Sequence, residues 1–365
     1  MARIVASLNS LALFALIGLT SACQPTPPIQ QRETRPLMGT VVDLTLEGRD
    51  PARLKQALDD AYREMTRLSD MMNHYNPNSV VSAINNAAGK QPVPVPPELM
   101  QVLKMARQVS DRSHGAFDIT VGSLKGWRFN PANPAMPSQA EIAAQLPKIN
   151  YRDVILDESA GTAFLKQTGM RMDLGGIAKL YILDTGMKIL KKHGIEHAML
   201  NGGGDVVVNG TTQGRPWRVG IRDPHAPEKL LAAIEITHGI VASSGDYERY
   251  FLKNGQRYHH ILDPRTGYPT QGLHGVTLVA DTLEQVNGLG AAIMVLGAAP
   301  GKELINQTPG LSGLLVDREG ELWVSPGLEK RLRFLKQPAN SVPKPGKTGE
   351  KPGQIYFPYF PVSNN

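Results

Sequence analysis

A single cysteine, Cys23, serves the whole chain of 365 residues. One thiol cannot form an internal disulfide, and it excludes thiolate zinc clusters and iron–sulfur centres, which need several sulfurs. A spanning helix is missing where one might be sought, because the early apolar run Leu11–Leu19 has only nine residues and a bilayer needs about 20. No internal repeat or long linker divides the body of the chain. What is present is a 41% hydrophobic, 20% charged composition, too apolar for a disordered chain and long enough for one large or two ordinary domains.

The two ends differ from the middle. Arg3, the apolar run and the small residues Thr20-Ser21-Ala22 before Cys23 read as an export signal over residues 1–22. They resemble a bacterial lipoprotein signal, although Leu19 stands four residues before the cysteine instead of the usual three. The expectation is lipidation of Cys23 and a location at the periplasmic face of a bacterial membrane. The alternative is an ordinary secreted protein cleaved near Ala22. Residues 23–33 begin with the proline-rich stretch Gln24–Gln31 and are expected to form a flexible tether. Residues 336–365 hold six prolines, four lysines and one glutamate, and end in an aromatic segment that could dock or remain free. Setting aside this tail and Arg3 leaves about +2 of the formal +6 charge on residues 34–335. The basic pI of 9.3 is therefore a property of the ends, and no nucleic-acid partner is expected.

Between Thr34 and Leu335 the hydrophobic pattern alternates between the helical and strand periods. Thr40–Glu47 reads as a half-buried strand, and apolar residues 54, 58, 61, 65, 68 and 72 as a helix face. A second helix carries Leu99, Val102, Leu103, Ala106 and Val109, and a third runs from about Ile177 to Lys192, stopped by Gly194. Strands are expected at Ala198–Leu200, Val206–Val208, Trp217–Ile221, Leu231–Ile236, Tyr258–Leu262 and Val276–Ala280, with a helix over Gln285–Leu296. Leu314–Val316 and Glu321–Val324 flank a hairpin turn at Asp317–Gly320. The class is α+β, with antiparallel pairing in the second half.

Four glycine-rich clusters could carry chemistry. The first, Gly115–Gly122, is followed by Trp127. In the second, Met172–Lys179, paired glycines open a helix with Lys179 in its first turn, a setting suited to an anionic phosphate; it is neither a Rossmann nor a Walker motif. The third, Leu200–Asp205, holds three successive glycines, which suit either a closely approaching ligand or a bulge between strands. The fourth joins Ser243–Tyr250 to Tyr258–Gly267. There His259 and His260 point to opposite faces of a strand, so at most one can face a pocket.

These segments carry a resemblance. Met38-Gly39-Thr40, Ala116–Thr120, Asp173–Lys179, Asn201–Asp205, Ser244–Tyr247 and His260–Gly267 are similar, in order and spacing, to the ApbE family of FAD:protein FMN transferases. The resemblance implies a single compact α+β domain over residues 34–335, related to the T-fold, with mixed or antiparallel sheets and flanking helices. It implies transfer of FMN from FAD to a Ser or Thr hydroxyl of an exported or membrane acceptor, respiratory flavoproteins among them, with release of AMP. By position, Met38, Tyr75, Ala116, Phe117, Asp118, Asp173, Lys179 and Ile261 would line the FAD site, and His260 would be the catalytic base or orienting group.

The resemblance also implies Mg²⁺ held by the Gly176 carbonyl and two side chains four residues apart on one helix face. Those positions are Asn287 and Ala291, where the family has Asp and Thr. Asn offers only a neutral oxygen and Ala none, so weak metal binding and slow or absent transfer are expected. Asp281 and Glu284 are read as surface charge, and Leu180 replaces a usual Gly. Two further readings therefore stay open: a non-catalytic FAD-binding lipoprotein, and an FAD pyrophosphatase.

Overall fold

A computed structural model describes residues 27–335; the export signal, Cys23 and the tail 336–365 lie outside the described residues. The chain opens with strands β1 (Ile29–Leu37) and β2 (Thr40–Gly48). It continues through α1 (Pro51–Met72), α2 (Val80–Asn86), β3 (Val93–Pro94), α3 (Pro97–Arg112), α4 (Gln139–Gln145), β4 (Val154–Asp157), β5 (Thr162–Leu165) and α5 (Ala178–Lys192). The second half is mainly strand: β6 (His197–Gly202), β7 (Asp205–Asn209), β8 (Trp217–Asp223), β9 (Ala226–Ile236), β10 (His238–Gly245), β11 (Tyr250–Lys253), β12 (Gln256–His259) and β13 (Leu273–Ala280). Helices α6 (Leu283–Val286), α7 (Leu289–Leu296) and α8 (Ala298–Asn306) precede β14 (Ser312–Asp317), β15 (Leu322–Val324), the single turn α9 (Pro326–Glu329) and β16 (Leu332–Phe334).

One eight-stranded sheet organises the molecule, in the order β1-β2-β6-β7-β10-β13-β14-β15, every neighbouring pair antiparallel. Its strands alternate between two cores, as the two-residue period of a strand requires. Leu200, Val207, Ile240, Leu278 and Leu315 face a helical layer that includes α1 and α5. Met199, Val206, Val241, Val279 and Leu314 face the other way, onto a small sheet of order β16-β9-β8 with Trp217 and Ile234 at its centre. Burial on both faces explains why these strands read as apolar runs.

Local signals account for the two long helices. Asp50 caps α1, its Oδ1 accepting the N–H groups of Ala52 and Arg53, and Pro51 occupies the first turn. All six apolar positions read from the sequence are buried. Helix α5 ends in a Schellman motif: Gly194 (φ +67°) donates to Lys191 and Ile195 to Leu190.

Two expectations are corrected. The segment assigned to the tether is shorter than 23–33, because Ile29–Glu33 already pair with Gly48–Leu44 in β1. The single helix over Gln285–Leu296 is two helices. Asn287 has an extended ψ of 128° and Gly288 a left-handed φ of 76°, so Asn287 and Ala291 do not share one continuous helix face. Strands β1, β3, β4, β5, β10, β11 and β16 lie outside the expected set, β10 because its Gly and Ser residues hide its alternation, and the strand expected over Tyr258–Leu262 is regular only in β12, to His259, with one further ladder bond at His260.

Candidate functional site

Two hairpin tips form one end of the main sheet. Met38-Gly39 joins β1 to β2 and Gly203-Gly204 joins β6 to β7, each a two-residue loop with both φ angles positive, as type I′ turns require. Because Val42 pairs with Gly202, the tips lie side by side: a Cβ on Gly203 would stand 2.5 Å from Thr40 Oγ1. The glycine run is thus a turn packed against a second turn, and Met38 holds a left-handed φ of 55° that is costly for a side-chain-bearing residue. Around Gly39 and Gly204 the space above the backbone is open. Next to this floor, Lys179 Nζ lies 2.8 Å from Asp205 Oδ2, and Asp205 Oδ1 accepts the Ser243 N–H. Lys179, second residue of α5, is therefore placed as expected but already has an acidic partner.

The segment before α5 is clamped from α2. The buried Asn85 donates from Nδ2 to the Met172 carbonyl (3.1 Å) and accepts the Met172 N–H at 2.7 Å. Asp173 then accepts from Gly175 N at 2.7 Å and meets His74 Nδ1 at 3.3 Å. Burial raises the Asp173 pKa, but the His74 contact and the Gly175 N–H outweigh it and hold the carboxylate below its usual range. Beside it the Tyr75 ring is 79% exposed and stands 3.9 Å from the His74 ring, an open aromatic face. Asn85 was not identifiable from sequence, since nothing local marks an Asn on a seven-residue helix as a clamp. Replacing Asn85 with Ala strands a buried donor and acceptor of Met172, and is expected to cost roughly 2 kcal/mol in urea unfolding and to loosen the segment that carries Asp173.

The first glycine-rich cluster is largely internal. Ala116 and Phe117 are buried. Phe117 Cε2 lies so close to Gly176 and Gly288 that added Cβ atoms would stand 3.1 and 3.5 Å from it. Asp118, a candidate ligand contact, turns inward: Oδ1 accepts from Thr120 N and Oγ1 (2.7 and 2.6 Å) and Oδ2 from Tyr151 N (2.8 Å). Burial raises its pKa, and its carboxylate is occupied in capping the short 3₁₀ turn Ile119–Ser123.

The two histidines divide as strand geometry dictates. His259 is fully buried, with Nε2 2.9 Å from the Thr270 carbonyl and Nδ1 3.4 Å from the Ile261 N–H; it holds the fold, and Ile261 packs partly buried against the main core. His260 lies on the opposite face. Its N–H donates to the Arg249 carbonyl (3.1 Å), continuing the β11–β12 register one pair beyond Tyr250↔His259. Its Nδ1 is buried with no hydrogen-bond partner. Burial, then Arg249 and His259, hold its pKa well below 6.5, with Lys179 adding to the effect. A neutral imidazole with a free nitrogen is thus held beside two cations. Behind the ribbon, the fully buried Asp246 joins Arg257 Nη1 and His274 Nδ1, both at 2.6 Å.

A profile of the ApbE family matches residues 38–315. The chain belongs to the ApbE family. It is 33% identical over 301 residues to an FAD:protein FMN transferase of Klebsiella pneumoniae, covering 82% of this chain and 92% of the relative. A Treponema pallidum FAD:protein FMN transferase is 29% identical over 317 residues, covering 82% and 88%. Among solved structures, the ApbE protein of Thermotoga maritima superimposes with a TM-score of 0.77 at 32% identity, covering 84% of this chain and all of that one. The flavin transferase ApbE from Vibrio cholerae gives 0.72 at 26%, covering 85% and 100%. The α+β architecture with antiparallel sheets matches these ApbE structures.

The ApbE resemblance points to Mg²⁺ at Gly176, Asn287 and Ala291, but the donors present do not suit it. Gly176 and Ala291 do come together: a Cβ on Gly176 would stand 4.0 Å from that of Ala291. Ala291 presents only a methyl group. Asn287 is 2% exposed, and its Nδ2, a hydrogen-bond donor, has no partner. Asp281 and Glu284 are exposed, and no group of three or more His, Cys, Asp or Glu residues that could hold a metal occurs among the described residues. Mg²⁺ favours carboxylate and water oxygens, which these side chains do not supply.

Proposed function

We propose that this ApbE-family chain transfers the FMN moiety of FAD to a Ser or Thr hydroxyl of a protein acceptor, releasing AMP. The observation that carries the reading is His260: a neutral imidazole with an unpartnered Nδ1, set opposite Arg249 and close enough to Lys179 to sense its charge. In the reaction the hydroxyl oxygen bonds to the FMN phosphorus and the phosphoanhydride P–O bond breaks. AMP leaves with the bond's electron pair, and the hydroxyl proton passes to His260 and then to solvent. His260 takes the proton, while Lys179 and the amino end of α5 face the phosphates. The open turn at Gly39 and Gly204 and the exposed Tyr75 ring offer flat, apolar contact for the flavin or adenine.

The acceptor is an exported or membrane protein, a respiratory flavoprotein being the class the family suggests. The chain works from the periplasmic face of a bacterial membrane, anchored through a lipidated Cys23. This part rests on the sequence of residues 1–23. No helix among the described residues is long and apolar enough to cross a membrane.

A flavin carrier without activity is favoured by one observation, the loss of metal-binding side chains at Asn287 and Ala291. Incubation with FAD and a candidate acceptor, followed by AMP release and in-gel flavin fluorescence, separates the readings. A fluorescent acceptor with stoichiometric AMP is expected. AMP with unlabelled acceptor means hydrolysis, and bound, unchanged FAD means a carrier.

A further inference from the structure

The charge of an FAD diphosphate would be incompletely answered by Lys179 and the amino end of α5 alone. Lys179 is paired with Asp205 at 2.8 Å, which offsets part of its charge, and the side chains at Asn287 and Ala291 are poor cation ligands. One other cation stands at the site. The β11–β12 ladder pairs Tyr250 with His259, and the next rung is the hydrogen bond from His260 N to the Arg249 carbonyl. Residues directly opposite on an antiparallel ladder share a face, with Cβ atoms about 5 Å apart. The neighbouring rungs obey this alternation: Phe251 and Tyr258 stack at 5.4 Å on the His260 face, while Arg257 lies over Tyr250 on the other. Arg249 thus emerges beside His260. Its charge reaches Asp173 and Tyr75 as well as His260, yet its guanidinium has no hydrogen bond or ion pair among the described residues. An exposed arginine is ordinarily a solvated surface charge. This one faces the reacting group from across a ladder rung, with no carboxylate bonded to it.

We infer that Arg249, together with Lys179, neutralises the FAD diphosphate in this chain, and that the Asn287–Ala291 position recruits no divalent cation. A guanidinium stays charged and presents a planar fork that matches two phosphate oxygens. The inference rests on FAD being the ligand of this site.

The test is equilibrium binding of FAD and riboflavin to the full chain purified in detergent, followed by flavin fluorescence in EDTA and in excess Mg²⁺. FAD affinity is expected to agree within about twofold in the two conditions. Arg249→Gln is expected to weaken FAD binding roughly 10- to 100-fold while leaving riboflavin binding and the thermal melt unchanged, with partial recovery in Arg249→Lys. Asn287→Asp with Ala291→Thr is expected to introduce a Mg²⁺-dependent gain. Tenfold or greater tightening of wild-type FAD binding by Mg²⁺, or wild-type affinity in Arg249→Gln, overturns the inference. So does indifference of the double variant to Mg²⁺, because the metal position would then lie elsewhere. Arg249-dependent, metal-independent binding with neither AMP release nor a labelled acceptor sustains the inference and ends the transferase reading. Mg²⁺-dependent binding with a labelled acceptor does the reverse, and failure to bind FAD overturns both.

Discussion

Alanine at position 260 is expected to lower the transfer rate by about 10²- to 10⁴-fold, the range typical of a lost general base, while leaving the fold and FAD affinity nearly intact. The reason for the split is that Nδ1 of His260 bonds to nothing in the protein, so its removal strands no partner. The pH profile gives a second signature. Burial, followed by Arg249 and His259, holds the imidazole well below 6.5, so the base form persists in mild acid and the acidic limb of the rate should fall below pH 6.5. In Arg249→Gln one of those causes is gone, and the limb should move up toward 6.5. The same shift has a stability consequence of defined sign. Between the folded pKa and 6.5 the unfolded chain binds more protons, so stability is full above pH 6.5 and declines as the pH falls below it. Initial rates of AMP release across pH are the measurement, and an acidic limb at or above 6.5 in the wild-type protein would contradict the assignment.

Asp246→Ala is expected to be the most damaging change to the scaffold. The carboxylate is fully buried between Arg257 on β12 and His274 on β13, and its own N–H donates to the His274 carbonyl. Removing one member of a buried ionic cluster leaves the others uncompensated, at roughly 3–5 kcal/mol. Urea unfolding should show an earlier midpoint with an unchanged slope. Asp246→Asn, which keeps shape and some hydrogen bonding, should lose less. Burial raises the Asp246 pKa, but His274 and Arg257 outweigh it and the net shift is below 3.8. Its contribution is therefore present above pH 3.8 and lost as the pH falls through the lower folded value. Because Arg257 stands three residues before His260, transfer should fall together with stability. A variant that unfolds like the wild-type protein would show that the cluster is not holding the ribbon.

The helices were legible where periodicity and caps agreed. In α1 the Asp50 cap, Pro51 and the spacing of six apolar residues all point one way, and the structure follows. Legibility failed where a glycine interrupts the register. Gly288 breaks the expected helix into α6 and α7 through a backbone conformation that no hydrophobic pattern reports, and Gly239 and Ser243-Ser244 obscure β10. His260, Lys179 and Asp173 were readable as candidates, because each sits in a distinctive local sequence. They did not reveal that the Asp118 carboxylate turns inward or that Asp205 pairs with Lys179, since both facts depend on residues distant in sequence. Arg249 was missed for a related reason. It is inconspicuous in Ser243–Tyr250, and only the pairing of β11 with β12 sets it against His260.

The early start of β1 bears on where the chemistry can happen. If Cys23 is the lipid anchor proposed above, six residue steps separate it from the first paired residue, Ile29, a chain length of at most about 21 Å. The nine residues of β1 then form a stiff strut of about 30 Å, with Met38 and the reacting cleft at its far end. On that proposal a paired strand, and not a linker alone, positions the cleft, and a hydroxyl to be modified would have to be presented within about 50 Å of the membrane surface.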